Sequence, residues 1–371
     1  MNKKKILIVS KYFYPIITPR AFRATELAKE FARQGHEVMI LIHNHGYNYN
    51  AFAEKHNLII KDYVKGKCKE IPRDKNALLK YFGKALNYLF LYPNILLMPL
   101  LSRILKNENG FDLLISVAFP YPVHWGVAHA IQKNKLLTKS WIADCGDPFM
   151  GDKQSKFKPP FYFRLVENWF CKKPDFITVP VPEAINAYPY FCRHKIKVIP
   201  QGFNFEEVKI TPLENKNPFP VFAYAGSLIK GVRDPSQFLD FLSTQDKNFK
   251  FIIYTQSVSV VAPYLDKLGD KLEIRNFIPR DQLLSELGQV DFLINIENRE
   301  NVQSPSKLID YALTQKPILS IKHNALNESI ILEFLNNNYK NKLVIDGIEQ
   351  YNIKNVVDKF IELTYLSSPK K

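Results

Sequence analysis

Two adjacent stretches decide how this chain is read: Ser304-Pro305-Ser306-Lys307-Leu308-Ile309-Asp310-Tyr311-Ala312-Leu313, then Gln315-Lys316-Pro317-Ile318-Leu319-Ser320-Ile321. Together they predict a helix beginning sharply after a loop, then a turn, then a buried strand. Ser304 suits the N-cap and Pro305 suits the first helical position. The backbone N–H groups of Ser306 and Lys307 then lack intrahelical acceptors, with the positive end of the helix dipole behind them. A helix start of this kind accepts anions, and phosphate is the usual biological one. Asp310 lies one turn further on, on the same face as Ser306, and four residues advance the axis by about 6 Å. A carboxylate at that distance from a bound diphosphate can hydrogen-bond the hydroxyls of a nucleotide ribose. The same residues also read as an ordinary capped helix packed on a strand, and the pattern alone leaves both readings open.

Working outward, Asp291-Phe292-Leu293-Ile294-Asn295-Ile296 predicts the strand that leads into this segment. Before it, 222–226, 249–254 and 272–277 read as strands, separated by helical stretches at 235–245, 263–268 and 281–288. The N-terminus opens on another compact apolar strand, Lys5-Ile6-Leu7-Ile8-Val9-Ser10. A proline-containing loop follows, then apolar residues at Phe22, Leu27, Ala28 and Phe31 with amphipathic helix spacing. Gly35 stands where a helix C-cap belongs, and 36–42 is the second strand. Such a β-loop-α-β start opens many doubly wound parallel sheets. Further strands read at 112–116, 139–144, 176–179 and from 196, with helices at 123–134 and 160–172, while 46–76 reads as polar and irregular. The chain thus reads as two α/β domains, 1–203 and 219–351, with a linker over 204–218 and a terminal helix and tail over 352–371.

At 371 residues the chain exceeds one typical core, and 46% hydrophobic with 23% charged residues describes a globular protein. The net charge of +15 favours an anionic partner: nucleic acid, an acidic membrane surface or a phosphorylated ligand. Nucleic acid explains the charge but not the phosphate-site pattern, so no nucleic-acid partner is expected. Cys68, Cys145, Cys171 and Cys192 are widely spaced, with no C-x-x-C pair, which implies reduced thiols in a cytoplasmic protein. The apolar run at 6–9 is too short for a signal peptide, and no run approaches the roughly 18 residues of a membrane span. Residues 77–105 are rich in Leu, Tyr and Phe, flanked by Lys and Arg and interrupted by Pro93 and Pro99. That segment reads either as a face for an anionic membrane or a lipid-linked acceptor, or as core packing of the first domain.

In order and spacing, these pieces resemble the GT-B-fold glycosyltransferases of family 4, the retaining "glycosyl transferases group 1" class, over nearly the whole chain. The resemblance is carried by Ile6 to Ser10, Tyr14-Pro15, Arg23 and Gly35-His36-Glu37-Val38 at the start. It continues through Asp144-Cys145-Gly146-Asp147-Pro148, Ile199-Pro200-Gln201-Gly202, Tyr224-Ala225-Gly226-Ser227 and Pro305 to Pro317. It implies two Rossmann-like doubly wound domains facing across a cleft, the first binding acceptor and the second a nucleotide sugar. It also implies a terminal helix that returns to the first domain.

The resemblance implies a donor site made by Gly226, Ser227, Lys230, Arg233, Ser306, Lys307 and Asp310. Cations and helix N-termini there stabilise a departing diphosphate without a metal. Arg233-Asp234 also reads as a surface pair capping the helix near Pro235. Asp310 matches the second Glu of the family's E-x7-E motif, whereas Val302 stands where the first belongs, with Glu297 and Glu300 close by. On the acceptor side Asp147 and His124 are the candidate catalytic residues, His124 reading equally as a structural hydrogen-bonding group. Gly146 stands where the family has Arg, and Arg20 and Arg23 are candidates for a phosphate or acceptor loop.

The expected function is retaining transfer of a sugar from a nucleotide sugar to a lipid-linked or polysaccharide acceptor in bacterial surface-glycan synthesis. The donor is a substrate, and no cofactor or metal is expected. The expected place is cytoplasmic, peripheral at the inner face of the membrane. Alternatives are a catalytically silent GT-B relative acting as a binding subunit, and a nucleotide-sugar epimerase, against which the Pro305-Ser306-Lys307-Leu308 segment argues.

Overall fold

The computed structural model describes residues 2–63, 77–151, 158–207, 217–297 and 306–366. Ser304 and Pro305, Glu300 and Val302, Cys68, and residues 208–216 of the expected linker lie outside the described residues. The chain divides into two compact units, Met1–Phe203 with Gln350–Lys371, and Asn204–Glu349.

The first unit is built on strands β1 (Lys5–Ser10), β2 (Glu37–Ile42), β3 (Ile59–Asp62), β4 (Phe111–Ala118), β5 (Thr138–Cys145), β6 (Phe176–Val179) and β7 (Ile196–Val198). They form a seven-stranded parallel sheet in the order β3-β2-β1-β4-β5-β6-β7. Helices cover both faces, which explains why the central strands are continuous apolar runs. Leu7, Val9 and Leu114 face one core, whereas Ile6, Ile8, Ile40 and Ile115 face the other.

The helix Pro19–Arg33 starts where Thr18 Oγ1 accepts from the Ala21 N–H at 3.2 Å. It shares its core with the terminal helix Ile353–Leu366, where Phe31 and Phe360 meet edge to face with centroids 6.4 Å apart. The terminal helix therefore packs within the first unit. On the opposite face the helices Leu97–Leu105 and Pro122–Lys133 pack so closely that a Cβ at Gly126 would lie 2.9 Å from Leu101 Cβ.

Two differences from the sequence expectation stand out. Part of 46–76 is ordered as the helix Asn50–His56 and strand β3, divided where Asn57 adopts a left-handed conformation (φ 52°). This edge strand has four residues and pairs with β2 alone, so it lacks the long apolar run of a central strand. The segment 77–105 splits in character. Its second helix buries Leu101 and Leu105 in the core, while Tyr81, Phe82, Tyr88 and Phe90 of the helix Ala77–Phe90 are exposed. Among the described residues no single helix is long and apolar enough to cross a membrane.

The second unit carries β8 (Val221–Ala225), β9 (Lys250–Tyr254), β10 (Leu272–Arg275), β11 (Phe292–Ile296) and β12 (Ile318–Ile321). These form a five-stranded parallel sheet in the order β10-β9-β8-β11-β12. Phe222 is the centre of its core, stacked between Phe292 and Phe251 at 4.6 and 4.8 Å. The helix Ser306–Leu313 connects β11 to β12. The helix Glu328–Leu335, with Asn327 accepting from the Ile330 N–H as its cap, was not anticipated from the sequence.

His124 belongs to the core of the first unit, which corrects its candidacy as a catalytic group. It is fully buried, with Nδ1 at 2.8 Å from Ser116 Oγ and Nε2 at 3.3 Å from Cys145 Sγ. Its ring stacks on Phe170 at 5.2 Å, and Trp141 Nε1 donates to the same Ser116 Oγ at 2.8 Å. Both ring nitrogens are engaged, so none is left to meet a substrate.

Burial lowers the His124 pKa from 6.5 to about 3, against the raising influence of Asp144. The unfolded imidazole gains its proton near 6.5 and the folded one does not. The folded state therefore holds this contribution above about pH 6.5 and loses it as pH falls toward 3, at about 1.4 kcal/mol per pH unit. Urea unfolding at about pH 5.5 should show a deficit of about 1.4 kcal/mol relative to pH 7, and His124→Gln should remove that part of the slope. An unaltered pH dependence in the variant would count against this assignment.

Candidate functional site

In the second unit, β8 ends in a turn at Gly226, whose φ of +146° and 3.2 Å Cβ clearance from Tyr224 Oη both favour glycine. The Gly226 N–H donates to Tyr254 O at 3.0 Å, and Tyr224 Oη donates to Ser227 O at 3.0 Å. The chain then doubles back on itself. Ile229 and Arg233 exchange backbone bonds of 3.0 and 2.9 Å around Gly231.

Asp234 closes this loop, accepting from the Gly231 N–H at 2.9 Å and the Ser236 N–H at 3.0 Å. Burial raises its carboxyl, but the bonds from Ser236 and Gly231 outweigh that and hold it below the ordinary value. The sequence alternative of an Arg233–Asp234 pair is corrected in its pairing, since Asp234 makes no ion pair with Arg233, whereas Asp234 does cap the start of the helix Ser236–Ser243. Among the described residues no carboxylate pairs with Arg233. Ser227 and Lys230 are exposed on the same loop.

The helix Ser306–Leu313 is tied to the end of β8 by Tyr311, whose Oη accepts from the Ala225 N–H at 2.8 Å. This tie sets its first turn beside Tyr224. Lys307 Nζ lies 4.6 Å from the centroid of the Tyr224 ring. That nitrogen is buried and has no hydrogen-bond partner among the described residues. Burial, and then the charge of Arg233, bring its pKa down to about 7.

One turn later, Asp310 Oδ1 accepts from Arg280 Nε at 2.9 Å and Nη2 at 2.6 Å. Both donors use the same oxygen, which leaves Oδ2 without a hydrogen-bond donor among the described residues. Burial raises this carboxyl more than Arg280 lowers it. Glu297, a possible substitute for the acidic residue absent at 302, is engaged elsewhere, accepting from Ser320 Oγ at 2.9 Å.

Gly226, Arg233, Lys307 and Asp310 are thus gathered around the ends of β8 and β11, at the C-terminal edge of a parallel sheet where α/β ligands bind. Sequence reasoning missed Tyr224 as the floor under Lys307, Tyr311 as the tie and Arg280 as the partner of Asp310. No local signal marks Arg280, since its partner sits on a different helix.

In the first unit, the same edge of the sheet holds a compact ionic cluster. Arg23 is buried and grips Asp144 with both ends of its guanidinium, Nε to Oδ2 at 3.1 Å and Nη2 to Oδ1 at 2.9 Å. It also donates to the carbonyls of Pro200 and Ile199, while Thr178 Oγ1 donates to Asp144 at 2.7 Å. Burial raises the Asp144 carboxyl, but Arg23, with help from Arg20, holds it below its ordinary value. Arg23 is therefore a structural strut and not a free phosphate ligand, which corrects that expectation.

Arg20 sits one turn earlier and is more open, with Nη1 3.9 Å from Asp144 Oδ2. Its guanidinium fills the space above Gly146, where a Cβ would lie 2.1 Å from Arg20 Cζ. Glycine at 146 is thus the condition for Arg20 to occupy this place. Asp147 follows on the exposed side of the turn, its carbonyl accepting from the buried Tyr121 Oη at 2.7 Å. Among the described residues no group of three or more His, Cys, Asp or Glu gathers as metal ligands.

No protein-family model matches the chain, and no curated protein matches it by sequence. Solved structures do match along its whole length. A glycosyltransferase from Rickettsia africae aligns at TM-score 0.58 and 13% identity, covering 99% of this chain and 94% of that one. The lipopolysaccharide outer core galactosyltransferase WaaB aligns at TM-score 0.56 and 12% identity, covering 98% and 99%. HepE of Anabaena, solved with UDP and glucose, aligns at TM-score 0.53 and 12% identity, covering 98% of each. With two parallel sheets flanked by helices in the pattern of these structures, the chain has the GT-B fold, two Rossmann-like α/β units.

Proposed function

We propose that the chain is a glycosyltransferase that moves a sugar from a nucleotide-sugar donor to a lipid-linked or polysaccharide acceptor in bacterial surface-glycan synthesis. One observation carries this reading. Lys307 and Arg233 are two basic groups without a carboxylate partner among the described residues, set beside the first turn of the helix Ser306–Leu313. An anion completes this arrangement, and the dipole at the helix start adds to the attraction. The UDP and glucose held by the similar HepE structure agree with a nucleoside diphosphate as that anion.

In this reading the bond between the anomeric carbon and the leaving phosphate breaks while charge builds on the diphosphate. Arg233, Lys307 and backbone N–H groups meet that charge in place. Asp310 accepts a ribose hydroxyl on its second oxygen, with Arg280 holding the first. Retention means that the acceptor oxygen attacks from the face the phosphate leaves, its proton passing to a phosphate oxygen. Retention and membership of family 4 rest on the motif resemblance, as does the absence of a metal from the reaction. Asp147 is the acceptor-side carboxylate of this proposal, on the strength of its exposure beyond β5.

A peripheral position at the inner face of an anionic membrane is part of the same proposal. The helix Ala77–Phe90 exposes Tyr81, Phe82, Tyr88, Leu89 and Phe90, and Tyr162 Oη donates to Leu89 O. That bond places the exposed Phe161 and Leu165 beside the end of the helix. Lys84, Lys158 and Arg164 are exposed on these segments, and no acidic residue occurs in 77–105. Aromatic and aliphatic groups interleaved with cations suit the boundary between anionic headgroups and acyl chains.

Two experiments test these readings. In a thermal-shift panel of nucleotide sugars, one donor should raise the melting temperature of the wild type, and Asp310→Ala should weaken that shift by about tenfold in apparent affinity. No shift from any nucleotide sugar would defeat the donor assignment, whereas binding without transfer to any acceptor would favour the silent relative. For the membrane, the protein should sediment with phosphatidylglycerol vesicles and not with phosphatidylcholine vesicles. The pair Phe161→Glu and Leu165→Glu should abolish that sedimentation without lowering the melting temperature; retention by both vesicle types or by neither would reject the docking face.

A further inference from the structure

Lys307 poses a problem that the donor reading alone does not answer. An amine on a surface helix normally reaches water. Here Nζ is buried against the ring of Tyr224, with no hydrogen-bond acceptor among the described residues. Burying an ammonium without a partner is among the costliest arrangements in a protein, and such groups shed their proton instead.

The neighbours on each packed element deepen the problem. From β8 comes the face of Tyr224, which offers a cation–π contact but no full counter-charge. From the loop after β8 comes Arg233, a second positive group. On its own helix, Asp310 pairs with Arg280 through Oδ1 and makes no bond to Lys307, and Tyr311 is occupied by the backbone of Ala225. The first turn of that helix contributes a positive dipole end. Asp234, the carboxylate next in sequence to Arg233, is consumed by the Gly231 and Ser236 backbone. No anionic oxygen of the described residues bonds Lys307 Nζ, so the free site favours the neutral amine. A diphosphate between Lys307 and Arg233 reverses this balance, because the ammonium then has both a counter-charge and acceptors.

We infer that arrival of the donor diphosphate places a proton on Lys307, so that donor binding takes up a proton from solvent and release of the nucleotide returns it. The inference rests on the donor reading above and adds proton linkage to it. The step balances simply. The lone pair of Nζ takes a proton supplied by water or buffer, and the new ammonium donates to phosphate oxygens. The low pKa of the free amine, about 7, agrees with this direction. The sign follows from linkage: the amine is more basic with the anion bound, so binding is strongest below the pKa of the free site. Affinity then falls as pH rises above about 7, by up to about tenfold per pH unit, until the amine of the complex titrates.

Isothermal titration calorimetry at about pH 8 measures the proton directly. UDP-glucose is the first probe, followed by other nucleotide sugars, because their diphosphate diester has no ionisation of its own near neutrality. Each titration is run in HEPES and in Tris, buffers of lower and higher ionisation heat that carry no phosphate. The expected result is a positive slope of observed enthalpy against buffer ionisation heat, approaching one proton taken up per donor bound. Lys307→Met should bind more weakly with no slope, and Lys307→Arg, with a fixed charge, should bind without uptake. Donor binding with zero slope in the wild type overturns the inference and leaves the donor site standing. So does an equal slope in Lys307→Met. Absence of binding by every nucleotide sugar overturns the donor reading and the inference with it.

Discussion

The pairing of Arg23 with Asp144 is the constraint on which the first unit depends. Its partners come from the helix Pro19–Arg33, from β5, from β6 through Thr178, and from the chain beyond β7 through Ile199 and Pro200. Taking two charges out of water costs more than their attraction returns unless the remaining donors and acceptors are also satisfied. Here the carboxylate receives three strong bonds and the guanidinium supplies two more to carbonyls, which meets that condition. Removing either partner leaves a buried charge alone, a loss on the order of 3–5 kcal/mol. The same pairing shapes its surroundings, since Asp144 is already claimed by Arg23. Arg20 is therefore left with a 3.9 Å approach and lies over Gly146 instead.

The second unit presents the opposite electrostatic condition at the corresponding edge of its sheet. Tyr224, Gly226 and Tyr311 build a rigid, fully hydrogen-bonded floor at the end of β8. Upon that floor sit two basic groups that no described carboxylate satisfies. The Tyr224 ring against Lys307 and the Tyr311 tie to Ala225 hold its helix where the amine is buried. Compensation is complete around Asp144, and around Lys307 and Arg233 it is not, which is the contrast on which the proposed anion site rests.

The sheets were legible in the sequence because parallel strands covered on both faces appear as unbroken apolar runs, as in Ile6 to Val9 or Phe292 to Ile296. What escaped notice was short, peripheral or contingent on distant partners. β3 is a half-exposed edge strand of four residues and carries no such run. Arg20 and Arg23 are three residues apart on one helix and looked equivalent. Only Asp144, far away in sequence, distinguishes the buried strut from the open neighbour. His124 looked like a catalytic histidine at a helix start because nothing local reveals Ser116, Cys145 and Phe170 closing around it. In the second unit, Lys307 was read through its backbone at the helix start, whereas its side chain holds the more telling chemistry. Burial of that side chain depends on Tyr224, which no helical pattern could have placed.

In the proposed donor reading, Asp310 takes the place of the Glu in the resembled motif. Shortening a side chain by one methylene withdraws its oxygens toward the helix and deeper from water, and burial does raise this carboxyl. Arg280 counters the shift, and it does so with two donors on one oxygen. That geometry fixes the plane of the carboxylate while leaving the second oxygen available. The one-sided contact leaves Oδ2 for the ribose hydroxyl of the proposed donor reading, and that reading then depends on Arg280 as much as on the acid it holds.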